Sequence, residues 1–150
     1  MDITAFKVAK RFFGMEEIPG QKDHPFIVWC LSTCNLETSD ETAWCSAFVN
    51  GICFILNLPM SNSAWARSWL MVGIPIELEE AQVGFDICIF KRGTGSQGHV
   101  GFFAGMEGDN ILILGGNQNN SVNVLSFGKD KLLGVRRLLE EQRNIKVRRI

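Results

Sequence analysis

Cys45, one of five cysteines of this 150-residue chain, and His99, one of its two histidines, are of types that suit nucleophilic attack on a carbonyl. A free thiol of pKa ~8.5 is only a few per cent thiolate at neutral pH, so it needs an imidazole or a helix N-terminus to raise that fraction. Cys45 lies near the start of a strongly helical stretch, whose dipole and free N–H groups favour an anion. His99 stands in Gly98-His99-Val100-Gly101-Phe102-Phe103, at the start of a strand and behind a flexible Gly93–Gly98 loop. Gly98 and its neighbouring glycines let a substrate backbone approach closely. An imidazole acting as base needs a partner on its second nitrogen. Asn117, in Leu114-Gly115-Gly116-Asn117-Gln118, can come near His99 across an antiparallel hairpin and accept that hydrogen bond through its amide oxygen. Gln118 is a candidate oxyanion donor, although the backbone N–H of Cys45 suits that role better. On spacing alone a plainer reading stays open: a helix-core thiol, a loop histidine and a hairpin turn.

Other residues carry the same double reading. Trp44 lines a substrate groove or, as part of a helical stripe, packs in the core. Trp65 and Trp69, four apart, pack on one helix face. Arg67 meets a substrate carboxylate or makes a surface ion pair. Asp40 and Glu41 cap a helix, and His24 before Pro25 is a surface turn residue.

The elements that must hold these groups are legible in order. Phe6 to Phe13 and Phe26 to Cys34 have helical spacing, the second with Pro25 at a favourable first position. Thr38-Ser39-Asp40-Glu41 has capping-box form and precedes a stripe of Trp44, Phe48, Ile52, Ile55 and Leu56 that runs to about Leu58. Ser61-Asn62-Ser63 caps a further helix, Ala64 to Val72. After Gly84 come short β-rich runs, Asp86–Phe90, Val100–Ala104, Ile111–Leu114 and Val122–Phe127, with Leu132–Leu138 as a last strand. Helices followed by strands imply an α+β fold with an antiparallel sheet. Residues 1–150 read as one domain ending in a basic tail at about 139–150.

Composition narrows the function classes. The net charge of −1 argues against a general nucleic-acid binder. It conceals 7 basic against 13 acidic residues over 1–128, and 8 against 3 over 129–150. The absence of tyrosine excludes phenol-based chemistry. Five cysteines without paired spacing, and only two histidines, give no zinc pattern and no secreted disulfide framework, so neither metal nor cofactor is expected. No signal-like start and no membrane-length apolar run are present, which implies synthesis in a cytoplasm.

The motifs together are more specific than any one. Trp44-Cys45-Ser46-Ala47-Phe48-Val49-Asn50 followed by Gly98-His99-Val100-Gly101-Phe102 resembles the core of the CHAP and NlpC-type cysteine peptidases. Their order, with Ser63-Ala64-Trp65-Ala66-Arg67-Ser68-Trp69-Leu70 between and Gly115-Gly116-Asn117-Gln118 after, is similar to a small peptidoglycan-hydrolase family of phages and bacteria. The similarity spans roughly Ala9 to Arg137. It implies a papain-like core, with Cys45 as nucleophile, His99 as base and then acid, and Asn117 in the orienting position. It also implies a peptidoglycan substrate cut at an amide bond by an endopeptidase or an N-acetylmuramoyl-L-alanine amidase. A phage endolysin acting in the periplasm or wall fits, as does a secreted antibacterial effector; a non-catalytic wall-binding module is the alternative from another class. A monomer is expected, its basic tail in weak contact with anionic wall or membrane surface. The chain departs from the family pattern at Gly84-Phe85-Asp86, where Gly-Asp is usual before the strand. It departs again at Gly51, where an aromatic is common, which implies a more open groove wall.

Overall fold

Thr4 starts the first helix, its hydroxyl accepting the Lys7 N–H at 3.2 Å. The computed structural model, which describes residues 2–20, 23–34 and 43–139, gives three α-helices: α1 (Ala5–Lys10), α2 (Pro25–Ser32) and α3 (Cys45–Leu56). Helix α1 stops short of Phe13, because the chain turns and Gly14, at φ 87°, donates its N–H to the Val122 carbonyl at 2.8 Å. Pro25 does open α2, and His24 is its N-cap, with Nδ1 accepting the Phe26 N–H at 3.2 Å. Helix α3 closes on Asn57 in the left-handed region, whose neighbour Leu58 donates to the Cys53 carbonyl. Its N-cap is Trp44, which makes no side-chain cap hydrogen bond. The Thr38–Glu41 box, Asp40 and Glu41 included, lies outside the described residues.

The expected helix over Ala64–Val72 is a 3₁₀ segment, Ala66–Met71. At about three residues per turn, positions four apart point about 120° apart. Trp69 is accordingly buried while Trp65 is exposed, rather than the two sharing a face.

Among the described residues six antiparallel strands form one sheet: β1 (Ile74–Ile76), β2 (Asp86–Lys91), β3 (Gly98–Glu107), β4 (Asn110–Gln118), β5 (Ser121–Gly128) and β6 (Leu132–Arg137). Their order is β1-β6-β2-β3-β4-β5. Both faces are apolar. Ile87, Ile89, Val100, Phe102 and Leu114 pack against the helices, and Cys88, Phe90, Phe103, Ile111, Ile113 and Val135 form a second cluster on the other side. Gly51 sits between α2 and α3, where a Cβ would come within 2.6 Å of Cys30 Sγ. It serves helix packing, not an open groove wall.

Strand β2 begins at Asp86, paired across the sheet with Arg137. The guanidinium grips the buried carboxylate at 2.8 Å from Nε and 2.9 Å from an Nη, while Gln82 donates its N–H to the same carboxylate. This ties the end of β6 into the sheet. Residues 140–150 lie outside the described residues. Among the described residues no helix is long and apolar enough to cross a membrane.

Candidate active site

Helix α3 carries a polar edge that fixes the entry to the site. Ser46 donates its hydroxyl proton to the Ser63 carbonyl at 2.6 Å and accepts the indole N–H of Trp69 at 2.8 Å. One turn on, the buried Asn50 accepts the N–H groups of Ser61 and Asn62 through Oδ1 and donates to the Ser63 carbonyl. The Trp-Cys-Ser-x-x-x-Asn and Ser-x-x-x-x-Ser-Trp motifs are thus joined: one strings the loop and 3₁₀ segment that the other supplies.

Among the described residues Arg67 pairs with no acidic side chain. Its guanidinium donates to the carbonyls of Gly95 and Gln97, at 2.7 and 2.9 Å, and Trp65 Nε1 donates to the Ser96 carbonyl at 2.8 Å. Together they clamp the 93–98 loop ahead of His99. Gly98 gives room to this clamp, not to a substrate: a Cβ there would lie 3.1 Å from Arg67 Cγ and 2.8 Å from the Phe90 carbonyl. Trp44 is likewise internal, fully buried with Nε1 donating to Glu17 at 2.7 Å, so it is core and lines no groove.

Cys45 opens α3 and is 5% exposed. Burial raises its thiol above the ordinary value. The backbone N–H of Val100, that of Ser46 and the charge of Arg92 pull the other way. The thiol therefore rests against the start of β3, one residue beyond His99.

His99 lies on the opposite face of that strand, consistent with the alternation that turns Val100 and Phe102 to the helices. Its ring stacks on Phe127 at 5.0 Å and 12°, and Phe127 stacks on Phe90. Burial lowers the imidazole to about 4; the Gln118 bond opposes this, and Arg92 adds to it. At neutral pH the resting pair is thus an uncharged thiol and an uncharged imidazole.

The side chain on His99 is Gln118, not the expected Asn117: Nε2 and Gln118 Oε1 are 2.9 Å apart. The β4–β5 register shifts between Gly115 and Gln118, and Asn117 takes a left-handed φ of 55°. This bulge brings the next residue round to the imidazole. Gly115 makes the contact possible, since a Cβ there would sit 2.6 Å from Gln118 Oε1 and 3.3 Å from His99 Nε2. The amide of Gln118 has one admissible orientation, because Nε2 donates to the carbonyl and Oδ1 of Asn123 at 2.8 and 2.9 Å. Its oxygen must accept, so His99 carries its proton on Nε2 and keeps the lone pair on Nδ1. With its NH₂ so engaged, Gln118 does not serve as the expected oxyanion donor.

Asn123, Phe127 and Arg92 join the site only in the folded chain. Asn123, Leu125 and Phe127 alternate along β5 on one face, a period-2 signal present in the sequence. Arg92 stands only as the residue after the strand.

A cavity of about 230 Å³ opens beside the imidazole, lined by His99, Gln118, Asn117, Phe127 and the cations Lys91, Arg92 and Lys131 among others. Cys45 is not in its lining. Among the described residues no three His, Cys, Asp or Glu side chains gather as metal ligands would.

By sequence, no protein-family model and no curated protein matches the chain. By structure it is similar to an NlpC/P60 family protein from Bacillus cereus, at TM-score 0.56 and 18% identity over 91% of this chain and 40% of that one. It is similar also to NlpC1 and NlpC2 from Trichomonas vaginalis, at TM-scores 0.54 and 0.53 and 20% and 17% identity. Those matches cover 89% of this chain and 42% and 45% of theirs, so the chain spans less than half the length of the structures it matches. The fold is the NlpC-type, papain-like one that the motifs imply.

Proposed function

From a fold shared with NlpC/P60 proteins, we propose that this chain hydrolyses an amide bond of cell-wall peptide, with Cys45 as nucleophile and His99 as base. The observation that carries the reading is the His99–Gln118 bond. It leaves Nδ1 able to take a proton at the start of β3, where Val100 meets the thiol. In this reading Nδ1 takes the thiol proton as sulfur attacks the carbonyl, and N–H groups at the start of α3 hold the oxyanion. The C–N bond then breaks, and the imidazolium protonates the leaving amine. A water attacks the thioester, His99 accepts its proton, and the carboxylate departs as the thiol is restored. Because the resting pair is uncharged, the proton moves only when a carbonyl is in place. The substrate is peptidoglycan, cut as an endopeptidase or an amidase would cut it, and the protein is delivered as an endolysin or a secreted effector.

Muropeptide mass spectrometry tests this. Wild-type protein releases new amine and carboxyl ends from purified walls, and Cys45→Ala releases none. Equal release by both sinks the reading.

The burial of Cys45 away from the cavity favours one other reading, a wall-binding module without hydrolysis. It predicts retention on peptidoglycan with no new ends and no alkylation of Cys45 by iodoacetamide.

A further inference from the structure

The cavity beside His99 has a cationic rim without a counter-charge. Lys91 and Arg92 reach it from the end of β2, and Lys131 from the turn before β6. Among the described residues no carboxylate lines it. Among the described residues the ion pairs are Lys129–Asp109 and Arg137–Asp86, so none of the three rim cations is spent on an acidic partner. The floor is different in kind: Leu125 and Phe127 of β5 supply apolar surface, and the half-buried Asn117 supplies an amide. Three cations held around one small cavity repel each other unless an anion joins them. An apolar floor under such a rim suits a short aliphatic acid better than a bare inorganic ion.

We propose that this cavity is a carboxylate subsite, in which an acidic peptide places a free carboxylate among Lys91, Arg92 and Lys131 and its methylenes on Leu125 and Phe127. The assignment rests on the amide-cleaving reading above for its link to catalysis, but not for binding itself. It adds a consequence for the base. Arg92 opposes protonation of His99, and a bound carboxylate offsets that charge, so an acidic substrate raises the proton affinity of the imidazole that must act on it. Recognition and activation are then one event.

The Cys45→Ala protein, followed through its His99 ring resonances by NMR, provides the test. Three probes are titrated: an acidic dipeptide with a free side-chain carboxylate, the same dipeptide with that group amidated, and inorganic phosphate. The acidic dipeptide shifts the His99 resonances and moves the imidazole titration upward. Its binding weakens about tenfold in Lys91→Ala combined with Lys131→Ala, two exposed positions, and weakens again in high salt. The amidated dipeptide binds at least tenfold less tightly. Equal binding of the two dipeptides, or no loss in the double variant, overturns the subsite. Phosphate binding as tightly as the acidic dipeptide also overturns it, in favour of a general anion site. Turnover by the wild type is read separately: binding without cleavage leaves the subsite standing and removes the amide-hydrolysis reading.

Discussion

Gln118 accepts the Nε2–H of His99 at 2.9 Å, and Asn123 holds the amide of Gln118 in the one orientation that permits it. The bond crosses from β4 to β3 over Gly115, whose missing side chain leaves the space. Asn117, one residue away, lines the cavity without taking that position.

Gln118 and Asn117 therefore separate by substitution. Gln118→Ala removes the partner of the ring N–H and lets the imidazole change tautomer, so kcat on a defined muropeptide falls about 10²-fold or more. It also leaves a buried donor unpaired, at about 1–3 kcal/mol of stability. Asn117→Ala keeps the imidazole bond and lowers kcat by less than about threefold, with its larger effect on KM through the cavity wall. The reverse ranking would restore Asn117 to the orienting position.

Much of this arrangement was legible in the residues. Cys45 at a helix start, His99 at a strand start and the Gly-Gly-Asn-Gln strand end all follow from local patterns and all fall where expected. Which amide meets the imidazole did not, because it depends on a bulge and a left-handed residue that shift the face of one position. The family pattern implies a more open groove wall at Gly51, and the glycines around His99 imply room for a substrate backbone at Gly98, yet each makes room for the chain's own Cys30 or Arg67, a tertiary neighbour that spacing does not reveal. Strand β1 is not legible in the sequence for a local reason. Ile74-Pro75-Ile76 carries a proline, which reads as a break, and only its place at the sheet edge allows it.

The lowered imidazole makes stability depend on pH with a definite sign. His99 is near 4 in the folded chain against 6.5 for the ordinary group. Between those values the unfolded chain binds the proton and the folded chain does not, so stability rises with pH across this window. It is complete above about 6.5, falls as pH drops toward 4, and is flat for this group below that. The loss is about 3 kcal/mol at most, from the size of the shift. Urea midpoints at pH 7, 5.5 and 4 measure it, and His99→Gln, which cannot titrate, shows a smaller decline over the same interval.

The Asp86–Arg137 pair predicts an asymmetry. Asp86 has a side chain 1% exposed, whereas that of Arg137 is 27% exposed. Arg137→Ala strands a buried carboxylate and costs about 3–5 kcal/mol, the range for breaking a buried pair from one side. Asp86→Ala leaves a guanidinium that can turn toward water, so its cost is smaller, at about 1–3 kcal/mol. Urea denaturation of both variants checks the order, and equal losses would mean that the pair acts as a surface contact.

Gly51→Ala sets two effects of opposite sign against each other in one helix. Replacing glycine inside α3 gains about 1 kcal/mol of helix propensity. The new Cβ, however, arrives 2.6 Å from Cys30 Sγ and 3.1 Å from the Trp29 ring, inside the packed α2–α3 contact. Such overpacking costs about 1–3 kcal/mol. The single variant is therefore less stable than wild type by up to about 2 kcal/mol. Cys30→Ala alone opens a small void and is also destabilising. Combined, the new methyl occupies space left by the departed sulfur, and the propensity gain is kept. The double variant returns to within about 1 kcal/mol of wild type, and a double-mutant cycle on urea midpoints reads this coupling directly. Simple addition of the two losses would show that Gly51 is constrained by something other than the Cys30 thiol.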